Sequence, residues 1–147
     1  MQTIRVQCPA CGTTNRLPVT KQHLGPKCGK CGGRLDISAV ARPVELGDAD
    51  FTSFINGAGL PVLVDFYSPT CGPCRAMAPV LDTLAGKYVG RVIVAKLDTS
   101  IHRTTAARYR IRGVPTLLFF SNGQVVDQVV GAVPPQALEE KLQALIR

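Results

Sequence analysis

Hydrophobic positions change their period several times along this chain, and each change marks an element. Residues 62–67, Val-Leu-Val-Asp-Phe-Tyr, are apolar at all but one position, the pattern of a strand covered on both faces. After Cys71 the period changes. Cys74, Met77, Ala78, Leu81, Leu84, Ala85 and Tyr88 recur at three- and four-residue steps, which is one face of a helix. Pro79 lies inside that pattern and should kink the helix rather than end it. Residues 92–98 read as the next strand, 104–109 as a helix and 117–120 as a buried strand. Asn122-Gly123 is a hairpin signal, so residues 124–130 should pair back antiparallel. A final helix over 135–146 carries Leu138, Leu142, Leu145 and Ile146 at helical spacing. Upstream, 44–46 is a short strand, and Asp48 or Asp50 could cap a helix running to about Asn56 before Gly57-Ala58-Gly59 stops it. Strands and helices alternate, then a hairpin and a helix close the unit. The pattern predicts an α/β domain over residues 44–147.

Residues 1–37 follow a different rule. Short alternating stretches at 3–7, 15–17 and 34–37 predict small strands, but large apolar side chains are few. Cys8-Pro9-Ala10-Cys11 and Cys28-Gly29-Lys30-Cys31, separated by sixteen residues, have the spacing that brings four sulfur donors into a tetrahedron. Glycines at 12, 29, 32 and 33 let the backbone turn tightly around each pair. The segment resembles a zinc ribbon. Four cysteines fill a tetrahedral site and leave no position for water, so the metal should be structural and supply much of the folding free energy. The same cage would also hold iron, and spacing alone leaves that open. His23, between the pairs, reads as an exposed loop residue. Residues 38–43, ending in Pro43, read as a linker.

Composition narrows the function classes. The chain has 147 residues, 46% of them hydrophobic, room for one domain of about 100 residues plus a small module. Its apolar runs are strand-sized, far short of the roughly 20 residues of a membrane span. The first eight residues show no secretory signal, which predicts a cytoplasmic protein. In a reducing compartment six cysteines point to ligands or catalytic thiols rather than structural disulfides. Charge is uneven: residues 1–42 hold seven Lys or Arg against one Asp, whereas residues 43–147 hold ten against nine acidic residues. The basic module lacks aromatic residues and so has no base-stacking platform, which weighs against nucleic acid. A monomer is expected.

The chemistry concentrates at Cys71-Gly72-Pro73-Cys74, where the strand over 62–67 gives way to the long helix. Cys71 falls at the helix N-terminus, where unpaired N–H groups and the helix dipole favour a thiolate. Pro73 suits the first turn, having no N–H to leave unpaired. Cys74, one turn in, belongs to the apolar face. Strand alternation puts Asp65 with Leu63 and Tyr67, facing an apolar layer, where a carboxyl is costly without a partner. Lys96, on the next strand, could reach it directly or through water.

Residues 44–147 resemble thioredoxin along their whole length, through Asp65-Phe66-Tyr67, Cys71-Gly72-Pro73-Cys74, Pro79, Lys96-Leu97-Asp98, Gly113-Val114-Pro115-Thr116, Asn122-Gly123 and Gly131. With the four-cysteine module in front, the chain resembles the zinc-binding, bacterial thioredoxin-2 type of that family. The resemblance implies a mixed sheet in order 1-3-2-4-5 flanked by helices, with Pro115 cis beside the thiols. It implies reduction of protein disulfides, with Cys71 as nucleophile and Cys74 as the resolving thiol. Asp65 then takes the Cys74 proton, Lys96 tunes it, and an NADPH-dependent thioredoxin reductase recharges the pair. Substrate would meet Thr70, Gly72, Pro73 and Val114, with Pro115, Gly131 and Ala132 completing the groove. Two positions depart from the family: Thr70 and Tyr67 stand where tryptophan is common. Other readings are a zinc-dependent protein- or nucleic-acid-binding module on an inactive scaffold, a redox-regulated holdase, or an oxidase or isomerase. The intact cysteine pair argues against the inactive scaffold, and Gly-Pro between the cysteines resembles reductases.

Overall fold

A computed structural model of the chain describes residues 2–146. Its central sheet follows from which runs are apolar on both faces. β4 (Val62–Tyr67), β5 (Ile93–Asp98) and β6 (Thr116–Ser121) occupy the interior, with β3 (Val44–Leu46) and β7 (Gln124–Val130) at the two edges, in the order β3-β5-β4-β6-β7. β3 and β4 run parallel to β5, while β4 with β6 and β6 with β7 are antiparallel. Counted from β3, this is the mixed 1-3-2-4-5 sheet of the thioredoxin fold. β7 fits its edge position, since every residue in it but Val129 is exposed.

Alternation along β4 divides the core in two. Val62, Val64 and Phe66 point to one face, packing with Leu46, Phe51, Ile55, Leu97 and Phe120. Leu63 points to the other, against Met77, Leu81, Leu84, Leu117 and Leu138. Helix α1 (Phe51–Gly57) covers the first face, while α2 (Gly72–Lys87) and α4 (Pro135–Leu145) cover the second. Pro79 sits inside α2 without ending it. Leu138 and Leu142 are fully buried, and Leu145 and Ile146 pack at the margin. The expected helix over 104–109 is α3 (Arg103–Arg108).

Capping differs from expectation. Neither Asp48 nor Asp50 bonds the first turn of α1 through its side chain. Asp50 accepts from the Gly47 N–H at 2.8 Å. Asp48 accepts from the Thr105 N–H at 2.8 Å and the Thr105 hydroxyl at 2.6 Å, so it serves the first turn of α3, 57 residues away. An Asp before a helix satisfies whichever open N–H group lies nearest in space.

The N-terminal region opens with a hairpin of β1 (Thr3–Gln7) and β2 (Thr14–Pro18). A 3-10 helix over Val19–Leu24 follows that hydrophobic periodicity did not predict. It buries only Val19 and Gln22, too few positions to show a period. The strand expected at 34–37 is reduced to a single bridge between Lys27 and Arg34, with Leu35 and Ile37 buried instead. Nor is His23 exposed on a loop. It is half-buried on the 3-10 helix, its Nδ1 lacks a hydrogen-bond partner, and burial lowers its pKa.

The stretch expected as a linker is packed rather than free. Ala41 and Pro43 are buried, and the Arg42 N–H donates to Gln22 Oε1 at 3.0 Å while the Gln22 amide donates back to the Arg42 carbonyl. Ile4 and Val19 join the same core cluster as Val44, Phe51 and Phe66. The Ser38 carbonyl rests on α2 where Gly86 leaves room, and a Cβ there would collide with it. Gly86→Ala should therefore destabilise the protein by about 1–3 kcal/mol, the usual range for overpacking, in urea unfolding. Gly57→Ala, whose Cβ would meet nothing within 4 Å, serves as the control and should be neutral or slightly stabilising.

Candidate active site and metal centre

The two C-x-x-C pairs fold as near-copies of one another. The Cys8 N–H donates to the Thr13 carbonyl at 2.8 Å and the Gly12 N–H to the Cys8 carbonyl at 2.9 Å; Cys28, Gly33 and Gly32 repeat both bonds at 2.8 and 2.9 Å. Gly12 and Gly32 take φ of 78° and 73°, left-handed turns that favour glycine. The four sulfurs all lie within 4.8 Å of one another. Cys8 Sγ is 3.6 Å from Cys31 Sγ, and Cys11 Sγ is 3.7 Å from Cys28 Sγ. A tetrahedron with metal–sulfur bonds of about 2.3 Å has edges of about 3.8 Å, so the spacing fits a metal. The charge pattern agrees. Backbone N–H groups of Cys31 and Lys30 lower the Cys28 thiol to about 6. Although the Gly33 N–H favours the Cys31 thiolate, the Cys8 and Cys11 sulfurs beside it raise the Cys31 pKa. A metal cation among the four sulfurs would hold all of them as thiolates.

At the other centre, Cys71 is the N-cap of α2. Its extended backbone points the sulfur back over the first turn, where Sγ accepts the Cys74 N–H at 3.1 Å. Cys71 is half-buried and Cys74 is 4% exposed; the two form a disulfide with Cα atoms 5.2 Å apart. Cys71 Sγ also lies 3.6 Å from the Val114 carbonyl oxygen. The Val114–Pro115 peptide is cis, and Pro115 is buried. The Gly131 N–H donates to the Pro115 carbonyl at 2.8 Å, and Gly131 has φ 91°, which suits glycine. Tertiary pairing thus brings residues 114–115 and 131 beside residue 71. Gly72, Pro73 and Ala132 lie exposed around them. Thr70 is also exposed, its hydroxyl 3.1 Å from that of Ser68, so a polar pair occupies the place of an indole.

On β4, on the sheet face that α2 covers, Asp65 is 1% exposed and its Oδ1 has no hydrogen-bond partner. Burial raises its pKa to about 7, against the opposing charge of Lys96 and with the Glu45 charge adding to the rise. Asp65 and Lys96 face each other in register, yet no ion pair or hydrogen bond joins them among the described residues. The ammonium instead stands 4.5 Å from the centre of the Tyr67 ring. Of the two routes expected from Lys96 to Asp65, direct or through water, the direct one is absent among the described residues.

Glu45 escaped the sequence reading. Its carboxylate accepts the Tyr67 hydroxyl at 3.0 and 3.2 Å. It lies 22 residues before Tyr67 in a strand of three residues. The one available signal was a charge alternating with Val44 and Leu46.

Comparison with known proteins agrees with this geometry. The Thioredoxin family matches residues 42–144, and a zinc-ribbon family described as "Thioredoxin 2, N-terminal" matches residues 7–33. The thioredoxin of Synechocystis sp. is 48% identical over 99 residues, covering 67% of this chain and 92% of that protein. The thioredoxin of Haemophilus influenzae is 43% identical over 95 residues, 65% of this chain and 89% of its own. The chloroplastic M-type thioredoxin of Pisum sativum is 46% identical over 101 residues, 69% of this chain; only 59% of the pea protein's length is spanned. A C-x-x-C disulfide at a helix mouth, a cis-proline loop against it and a four-cysteine cage ahead of the domain place this chain in the thioredoxin family of thiol–disulfide oxidoreductases, with an N-terminal module of the zinc-ribbon type.

Proposed function

We propose that the protein reduces disulfides of other proteins in the cytoplasm, and that an NADPH-dependent thioredoxin reductase returns it to the dithiol form. The observation that carries this reading is the inequality of the two sulfurs: one half-buried at an open helix N-terminus, the other 4% exposed one turn into the helix. In the reduced protein the Cys71 thiolate attacks one sulfur of a substrate disulfide. A mixed disulfide forms and the first substrate thiolate leaves. Cys74 gives its proton to Asp65 and attacks Cys71 Sγ. This closes the disulfide and releases the second substrate sulfur. An extended substrate segment lies along Val114 and Pro115, pairing with backbone rather than reading side chains, while Gly131 and Ala132 form the opposite wall. Thr70, Gly72 and Pro73 complete the mouth. Lys96 adjusts the proton affinity of Asp65 from the neighbouring strand.

Zinc is the metal that fits Cys8, Cys11, Cys28 and Cys31 best, because four thiolates in a tetrahedron match its ligand preference and the thiol–disulfide chemistry proposed here needs no one-electron carrier. When bound, it supplies a cross-link between the two cysteine turns. Its role is structural, since all four positions are filled. Metal analysis should find one zinc per chain. Stripping it with a chelator should raise amide exchange over residues 7–33, while insulin reduction through Cys71 and Cys74 persists. Retained protection after metal loss would count against a structural metal.

Asp65 yields a second test. Asp65→Asn should slow resolution of a trapped mixed disulfide by about 10²–10⁴-fold at neutral pH, the range of a lost general base, with the first attack by Cys71 unaffected; stopped-flow measurement with an insulin-type substrate reads both. Stability should move the other way. The folded carboxyl titrates at about 7 against 3.8 for an ordinary one. Between those values the native state binds the extra proton, so wild-type stability falls as pH rises. Asp65→Asn should therefore be the more stable protein above pH 7, by up to about 4 kcal/mol. The difference should vanish below the ordinary carboxyl range.

A further inference from the structure

Three residues form a row across one face of the sheet: Glu45 on β3 is in register with Lys96 on β5, and Lys96 with Asp65 on β4. Tyr67 lies on the same face, two residues along β4. A cation between two carboxylates would ordinarily pair with one of them. Lys96 forms an ion pair with neither among the described residues, although Coulomb attraction draws it toward both. Its ammonium sits 4.5 Å from the Tyr67 ring centre, within the range of a cation–π contact. Both Glu45 carboxylate oxygens accept the Tyr67 hydroxyl, and Asp65 Oδ1 is left without a partner.

We propose that Tyr67, anchored by Glu45, is a positioning residue that seats the Lys96 ammonium on its ring and so withholds that cation from the Asp65 carboxylate. A carboxylate paired with Lys96 would be a poor proton acceptor; one left unpaired in an apolar pocket holds a proton near neutral pH. The remaining surroundings of Asp65 support this division of labour. Leu117, opposite it on β6, is apolar. Cys71 and Cys74 are joined as a disulfide and do not titrate in this state. Asp98, on β5, is engaged by the Ser100 N–H and hydroxyl at 2.9 and 2.6 Å. His102 faces the Glu45 end of the row, where its Nδ1 accepts the Asp48 N–H at 3.2 Å. Burial and the Glu45 charge raise the Tyr67 phenol above its ordinary value, so it remains the donor across the working pH range.

The inference rests on Asp65 as the proton acceptor of the proposed function, and the test separates the two. Full-length oxidised protein carrying 13C-labelled aspartate is titrated by NMR, reading the Asp65 carboxyl directly. Tyr67→Leu should lower its midpoint by about 1 pH unit, the effect of an opposite charge brought within about 4–6 Å. The same substitution in a Lys96→Met background should leave the midpoint where Lys96→Met alone puts it. Tyr67→Trp, which keeps an aromatic face and has an indole N–H that can donate to Glu45 in place of the hydroxyl, should hold it at the wild-type value. Tyr67→Phe keeps the packing and loses the hydroxyl; it should lower the midpoint in the same direction, again only when Lys96 is present. An unchanged midpoint in Tyr67→Phe overturns the anchor, including the case in which Tyr67→Leu does not fold. An equal shift with and without Lys96 overturns the seat, because the ring would then act by packing alone. A midpoint unmoved while Asp65→Asn still slows resolution removes this inference and spares the acceptor role. Unchanged resolution in Asp65→Asn removes the acceptor role and leaves the titration result standing.

Discussion

A sulfur placed at an open helix end is the constraint on which the rest of this molecule depends. The first N–H groups of α2 have no carbonyl one turn earlier to bond, and Cys71 Sγ takes the Cys74 N–H at 3.1 Å. In the reduced protein an N–H at that position favours the thiolate of Cys71. For the arrangement to work, β4 must deliver Cys71 to the sheet's end, α2 must be anchored by its apolar face, and the loop at Pro115 must close over the sulfur. Each requirement is met by apolar packing. Leu63, Met77, Leu81 and Leu117 belong to one buried cluster, so the helix carrying the thiols and the strand beside the proline loop share a single core.

A buried carboxyl in that setting costs stability. Asp65 stands in the middle of the sheet with an unpartnered oxygen, where a leucine would be more stable. Desolvation is the largest influence on its proton affinity, the Lys96 charge opposes it, and Glu45 adds to it. The balance falls near neutrality because the cation is close in register but turned toward an aromatic face.

The metal module is joined to the redox domain more closely than a tether would require. Two of its apolar side chains, Ile4 and Val19, belong to the larger core. The Gln22 amide and the Arg42 backbone bond reciprocally, and the Ser38 carbonyl is accommodated at Gly86 on α2. The module keeps a small cluster of its own, in which Cys8 and Cys28 pack with Val6, Leu35 and Ile37. Two of the four metal-site sulfurs are thus part of its apolar interior, and Cys11 and Cys31 remain exposed.

Read from sequence alone, the strong periods proved sound: the apolar strand at 62–67, the long helix after Cys71, the hairpin at Asn122-Gly123 and the last helix. These depend on local spacing, which the chain carries within a window of a dozen residues. The two cysteine pairs and the cage they imply were equally legible, because ligand spacing is a local property. Elements without a period were not: the six-residue 3-10 helix at Val19–Leu24 and the bridge that replaced a strand at Arg34. Long-range partnerships were also out of reach. Asp48 caps a helix 57 residues away, Glu45 holds Tyr67, and Lys96 turns to that ring instead of to Asp65. Sequence by itself determined which residues could carry the chemistry, since residue type and spacing are written along the chain. Only the tertiary structure decided which of them meet, because strand register and core packing choose a neighbour by distance in space rather than along the chain.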